Sequence, residues 1–370
     1  MRLPQRIIAT GIVLFSIAVC GQNTRIVIPA GTPEDKELSA IAAENDADKR
    51  TAAYEEFIRK YADNKPAVAY AEWQLSQQYQ TAGDNAKALD WGDKALEAYP
   101  NDLDIVVSDA NIAMAVKDNG KVVDYAVKGA AVYRSIALQT KPSEMNDDAW
   151  KRRIDEEEAA AKSSYDFLET AAYNAIAGEQ DANRRMTYIE KFTPAFPKSQ
   201  FDQQVTQLAM LSLQQLNEPQ RLEAYGEKAL ASNPESIPTL LMLANAYAGD
   251  AKHAAKAATY ANKAIALVEP TSGDRTKKSY AGLAHTSLGR ADLNLEKLPS
   301  ATTELKTAVA LLQDDPPDQQ VALYYLGYAS AKQNRKADSV AALEKAAAIK
   351  GPYQAPAREM LEKVQAAGKK

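Results

Sequence analysis

Chemistry needs titratable or nucleophilic groups that converge, and this chain is poor in them. Its histidines are His253 and His285, and its one cysteine is Cys20. Neither histidine stands in an HExxH frame, and there is no CxxC, no glycine-rich phosphate loop and no Gly-x-Ser-x-Gly elbow. The usual frames for zinc, nucleotide and acyl chemistry are therefore missing. The acidic run Asp155-Glu156-Glu157-Glu158 follows Lys151-Arg152-Arg153, so i,i+4 pairing predicts a solvated ion-paired helix face rather than a cation site. Glu44-Asn45-Asp46-Ala47-Asp48 has alternating oxygens but lacks the glycine that turns a calcium loop. The sequence predicts no catalytic residue, no metal and no cofactor.

What such a chain can offer is a surface, and its composition says of what kind. Gly and Pro are sparse, alanine is abundant, and no β-branched alternating runs occur, so helix is expected almost throughout. A net charge of −5 with no clustered basic face argues against a nucleic-acid partner. A lone cysteine forms no internal disulfide.

The elements that carry this surface repeat. Asn85, Lys87, Asp90, Trp91 and Lys94 return 34 residues later as Asn119, Lys121, Asp124, Tyr125 and Lys128. A period of this length marks an array of one supersecondary unit. Between Ala67 and Asn101 the order Trp73, Leu75, Ser76, Tyr79, Ala88, Ala95, Pro100 resembles the tetratricopeptide repeat, a pair of antiparallel helices. Small residues such as Ser76, Ala88 and Ala95 are expected where the two backbones come closest, and Pro100 stops the second helix. The phrase Trp91-Gly92-Asp93-Lys94-Ala95-Leu96 recurs as Tyr225-Gly226-Glu227-Lys228-Ala229-Leu230, which places Ala229 at a contact as well. Leu243-Ala244-Tyr247, Leu288-Gly289 and Leu326-Gly327 mark later units, with Asp292 standing at an aromatic position. His285 falls at a packing position and His253 at a helix start beside Asp250.

The resemblance implies an all-α, right-handed superhelical solenoid of antiparallel helix pairs, with about eight repeats over 32–351. Thr32-Pro33 opens the first helix as N-cap and first helical residue. The stretch 140–200 is divergent, with a linker at Thr140–Asp148 and a long helix from Ala149 to Ala177; Phe192 and Phe196 answer Phe57 and Tyr61. Residues 352–370 supply a capping helix and tail.

In the tetratricopeptide family ligands are held mostly by the first helices, which line a concave groove. Carrying that register over implies a peptide-binding groove of Tyr70, Trp73 and Gln77, then Asp104, Val107, Asn111 and Met114, then Leu241 and Asn245, Thr286 and Arg290, and Tyr324 and Tyr328. Amides at Gln77, Asn111 and Asn245 suit the backbone of an extended peptide, and the aromatics suit its side chains. The clamp by which chaperone-binding members hold a terminal carboxylate needs lysine where this chain has Trp73, Val107, Leu241, Thr286 and Tyr324.

At the amino terminus Arg2 and Arg6 precede an apolar run from Ile7 to Val19, too short to span a bilayer comfortably, and the chain then turns polar. This predicts a signal peptide over 1–20 and a flexible tether over 21–31. Cleavage after Cys20 gives a soluble exported protein; Ile17-Ala18-Val19-Cys20-Gly21 also resembles the lipobox of bacterial lipoproteins, with Cys20 lipidated; an uncleaved anchor is the third outcome. The expectation is an exported, non-enzymatic scaffold, periplasmic or extracellular, binding a protein or peptide segment. An outer-membrane-anchored envelope-assembly or polysaccharide-export accessory lipoprotein is the alternative, attached only through the Cys20 lipid. A hydrolase hidden in Thr140–Ala177 is a third, in a segment without histidine or cysteine.

Overall fold

A computed structural model describes residues 24–268 and 274–366. The expected signal peptide, with Cys20, lies outside them. Among the described residues there are seventeen helices and no strand, and no helix is long and apolar enough to cross a membrane.

The chain divides into two compact units. The first holds α1 (Pro33–Ala42), α2 (Ala47–Lys60), α3 (Lys65–Thr81), α4 (Asn85–Ala98), α5 (Leu103–Ala115), α6 (Asn119–Ile136) and α7 (Asp147–Gly178). The last residues of α8 (Ala182–Ala195) belong with it, and the rest of α8 with the second unit. The second continues through α9 (Asp202–Gln215), α10 (Pro219–Ser232), α11 (Ile237–Ala248), α12 (Ala254–Leu267), α13 (Arg275–Asn294), α14 (Leu298–Leu311), α15 (Pro316–Lys332), α16 (Lys336–Ala348) and α17 (Gln354–Ala366).

Local chemistry sets the helix ends. Thr32 accepts the Asp35 N–H as N-cap with Pro33 in the first turn, and Asp46 caps α2 through Asp48 and Lys49. Five of the links inside the pairs share one device. Gly83, Lys117, Asn217, Glu296 and Asn334 all have positive φ, and each stands two residues past the end of a first helix. The next N–H then reaches back to a carbonyl five residues earlier, as from Asp84 to Tyr79 and from Lys297 to Asp292, both at 2.9 Å. This is a Schellman turn, and it folds the second helix back against the first. Only Gly83 fills the left-handed position without a steric penalty. Glu296→Gly should therefore stabilise the second unit by about 0.5–1 kcal/mol. A urea midpoint that moves down instead would show that φ at Glu296 is not strained.

Small residues then meet across each pair. Ser76 Oγ donates to the Ala88 carbonyl at 2.7 Å, and Ser339 Oγ to the Gly327 carbonyl at 2.8 Å. In the pair α13–α14, a Cβ on Gly289 would lie 3.2 Å from the Ala301 carbonyl oxygen. These three contacts join equivalent positions twelve residues apart in sequence. Fully buried Ala88, Ala95, Ala301, Ala308 and Ala346 continue the same seams. The fold is an all-α solenoid of antiparallel helix pairs of the tetratricopeptide kind. Ala229 departs from expectation: it is half-buried, and the close contact is made one turn earlier by Gly226, lying under Leu243, with Leu222 buried a further turn back.

Larger side chains fill the space between pairs. Phe57 stacks on Tyr61 at 4.6 Å, and the equivalent Phe192 and Phe196 meet at 4.8 Å, both phenylalanines being fully buried. Tyr165 of the long helix α7 bridges Tyr133 and Phe196. Successive second helices are tied by a recurring triad. Asp93 takes Lys121 and the Tyr125 hydroxyl, both at 2.7 Å; Glu227 takes Lys256 at 2.7 Å and the Tyr260 hydroxyl at 2.9 Å. As exposed pairs, these fix register more than they add stability.

The ladder expected along α7 does not form. Lys151–Asp155, Arg152–Glu156 and Arg153–Glu157 are not among the ion pairs of the described residues. Arg153 lies over the Trp150 ring at 5.4 Å, while Glu157 accepts from Gln139 Nε2 at 3.0 Å and from Thr24 Oγ1 at 3.4 Å.

Candidate functional site

The first helices supply two sets of candidate residues, one in each unit. In the first unit Tyr70 and Trp73 meet edge to face, 6.2 Å between centroids, on the half-buried stripe of α3 that also carries Gln77. On α5, Asn111 and Met114 are exposed, but Asn111 Nδ2 donates to its own helix, to the Val107 carbonyl at 2.8 Å. That leaves Asn111 Oδ1 as the acceptor it presents outward.

The amino-terminal segment lies against the start of this same helix. Ile26 N–H donates to Asp102 Oδ2 at 2.6 Å, and Leu103 N–H to the Thr24 carbonyl at 3.0 Å. Arg25 pairs with Asp104 at 3.2 Å, and Ile28 packs on the cluster of Leu38, Ile41, Phe57, Ala71 and Leu75. Asp102 can accept Ile26 because its other oxygen already caps Asp104 and Ile105. Burial raises its carboxyl above the ordinary range. Beside the segment a cavity of about 270 Å³ is lined by Val27, Leu103, Glu157, Ala161 and Ser164.

In the second unit the structure brings Asn245, Arg290 and Tyr324 into one constellation with two residues the sequence reading missed, Tyr325 and Tyr353. Asn245 Oδ1 accepts Arg290 Nη1 at 2.5 Å. The guanidinium lies 4.9 Å from the Tyr325 centroid. Tyr353 lies 4.9 Å from Tyr324 and 5.7 Å from Tyr325, and the Tyr325 and Tyr353 hydroxyls stand 3.3 Å apart. Burial pushes the Tyr353 phenol up to about 12, so it stays a neutral donor. Tyr328 stands apart, packed beside Leu293, Leu305 and Ala329 with Lys332 over its ring.

Two positions carried over from the family register do not face outward. Leu241 and Thr286 are 7% and 5% exposed, and Thr286 Oγ1 donates back to the Gly282 carbonyl at 2.8 Å. The accessible stripe of α11 runs instead through Pro238, Met242, Asn245 and Ala246. The histidines are paired with carboxylates: His285 Nδ1 with Glu304 at 2.6 Å, and His253 Nδ1 with Asp250 at 2.7 Å. No group of three metal-ligating side chains occurs among the described residues.

No protein-family model and no curated protein matches the chain. Among solved structures it is similar to a tetratricopeptide repeat protein from Parabacteroides merdae, at 13% identity over 80% of this chain and 98% of that one, TM-score 0.37. It is also similar to yeast Tom70, at 14% identity over 91% and 95%, TM-score 0.32, and to the TPR2AB domain of yeast Sti1 in complex with an HSP90 peptide, at 13% identity over 81% and 99%, TM-score 0.29. The helix pairs are assigned to the tetratricopeptide kind on their own geometry: the repeated left-handed turn and the small-residue seams twelve positions apart.

Proposed function

We propose that this chain is a non-enzymatic, exported scaffold that holds an extended protein or peptide segment on the first helices of its repeats. The observation that carries the reading is the seating of residues 24–28 on α5. A non-helical stretch of backbone is taken there through one N–H and one carbonyl, with a cation on Asp104, and Ile28 beyond it packs on the core cluster of α1–α3. Main-chain bonds supply affinity for any extended chain, and the flanking contacts supply preference. Export rests on Arg2, Arg6 and the apolar run Ile7–Val19. Mass spectrometry of the mature terminus separates a free Gly21 from a diacylated Cys20, and so the soluble protein from the lipoprotein.

The test supplies the segment in trans. A chain starting at Gly31 is titrated into a labelled peptide of residues 24–30. Saturable binding is expected, weakened several-fold by Asp104→Lys, which turns the contact to Arg25 repulsive. Absence of binding at about 1 mM peptide, weaker than any useful recognition, would refute the reading.

A further inference from the structure

The segment seated on α5 fills its own site poorly. Arg25 and Val27 are exposed while Ile26 and Ile28 are half-buried, and it is the exposed two that line the cavity of about 270 Å³. The floor of that cavity belongs to the core, since Leu103 and Ala161 are buried in one cluster with Val132 and Ile136. Yet Val27 stands 63% exposed at its edge, and the side chains that α7 adds there, Ala160 and Ser164, are small. The hold on the backbone is light as well. Two main-chain groups, the Ile26 N–H and the Thr24 carbonyl, and one ion pair between exposed side chains, Arg25 and Asp104, tie the segment to α5. Each such contact contributes little.

We propose that residues 24–28 are a resident strap, displaced when the scaffold takes a guest segment that carries a cation and, two residues further on, a large apolar side chain. The guest's cation replaces Arg25 on Asp104. Its large side chain lies where Val27 stands and fills the cavity over Leu103 and Ala161. Its main chain takes over the Leu103 N–H and Asp102 Oδ2, buried groups that the strap satisfies while the site waits and that are costly to leave unpaired. A tethered segment competes at an effective concentration on the order of millimolar, so a guest that merely copies the strap is kept out and one that fills the cavity is admitted. The inference rests on the peptide-binding reading above and gives it a preference and a built-in competitor.

Two labelled peptides test it on the full chain: residues 24–30 as they stand, and the same peptide with Val27→Trp. The second is expected to bind about tenfold tighter, through the apolar surface it buries. Arg25→Glu in the chain turns the strap's own ion pair repulsive but leaves Asp104 for the guest, and should tighten both peptides several-fold. That is a gain, which misfolding does not imitate. Ala160→Phe, at an exposed position of α7 bordering the cavity, should take up the space and erase the difference between the peptides. Equal binding of the two peptides to the native chain, or affinities unchanged by Arg25→Glu, overturns the proposal. In either case, binding of the native peptide to the chain starting at Gly31 leaves the scaffold reading standing, and its absence removes both.

Discussion

Asp109→Asn should raise the stability of the first unit by about 3 kcal/mol at neutral pH, although it removes a native side chain from the interior. Asp109 is fully buried on α5, its carboxylate lies against Gly92 of α4, and neither oxygen has a hydrogen-bond partner. Burial, reinforced by the negative charge of Asp93, pushes its pKa up to about 8 from 3.8. The folded chain must therefore hold a proton that the unfolded chain has released at neutral pH. Asparagine fills the same volume without that requirement. An alanine at position 92 would place its Cβ 2.0 Å from Asp109 Oδ1, which is why glycine and the buried acid occur together.

The pH dependence follows in sign. Below about pH 4 both states are protonated and Asp109 costs nothing. Between there and about pH 8 the unfolded state binds fewer protons than the folded one, so stability falls as pH rises, and above about pH 8 it levels. Glu72 on α3, with its pKa pushed to about 7 chiefly by burial, acts in the same direction over a narrower window. Thermal midpoints at about pH 5, 7 and 8.5 should therefore decline for the native chain and decline much less for Asp109→Asn. Parallel curves for the two proteins would show that Asp109 is ionised in the fold.

The sequence made the helix pairs legible because what specifies them is local or strictly periodic. Thr32-Pro33 and Asp46 cap helices with their neighbours alone, and the 34-residue recurrence fixes which small residues face each other. The residues that matter most for chemistry were hidden because their environment is set by other helices. Asp109 stands beside the small residue Ala110 and looks like any polar helix position until Gly92 of α4 covers it. Glu157 was assigned to an ion pair on its own helix, yet it turns toward Gln139 and Thr24, a partner 133 residues away. Of the carried-over site residues, Asn245, Arg290 and Tyr324 converge, while Leu241 and Thr286 point inward. A family register gives the face of a helix only to within one residue, and one residue is about 100° of rotation. Tyr353 stands one residue before α17, in a turn that nothing in the sequence ties to Arg290 or Tyr325.

The capping helix α17 carries the second large effect. Ending the chain at Pro352 should destabilise the α15–α16 pair by about 3–6 kcal/mol, the loss of several buried or half-buried apolar side chains together. Ala357 is fully buried, and Met360, Leu361 and Val364 pack on Leu323, Leu343 and Ala346. Without α17 this face meets water, and in a stack stabilised by nearest neighbours the end unit has no other cover. The corner before it loosens too. Gln320 is fully buried; its Nε2 donates to the Ala346 carbonyl at 3.1 Å and its Oε1 accepts Tyr353 N–H at 3.4 Å, so truncation leaves that oxygen unpaired. Tyr324 and Tyr325 lose the ring of Tyr353, and the cavity that Tyr353 lines with Asn245 and Arg290 loses a wall. The truncated chain should therefore lose more helical circular dichroism than α17 alone accounts for, and amide protection should collapse in α15 and α16 while it persists in α11 and α12. A loss confined to the residues removed would mean that α17 merely decorates a pair able to stand without it.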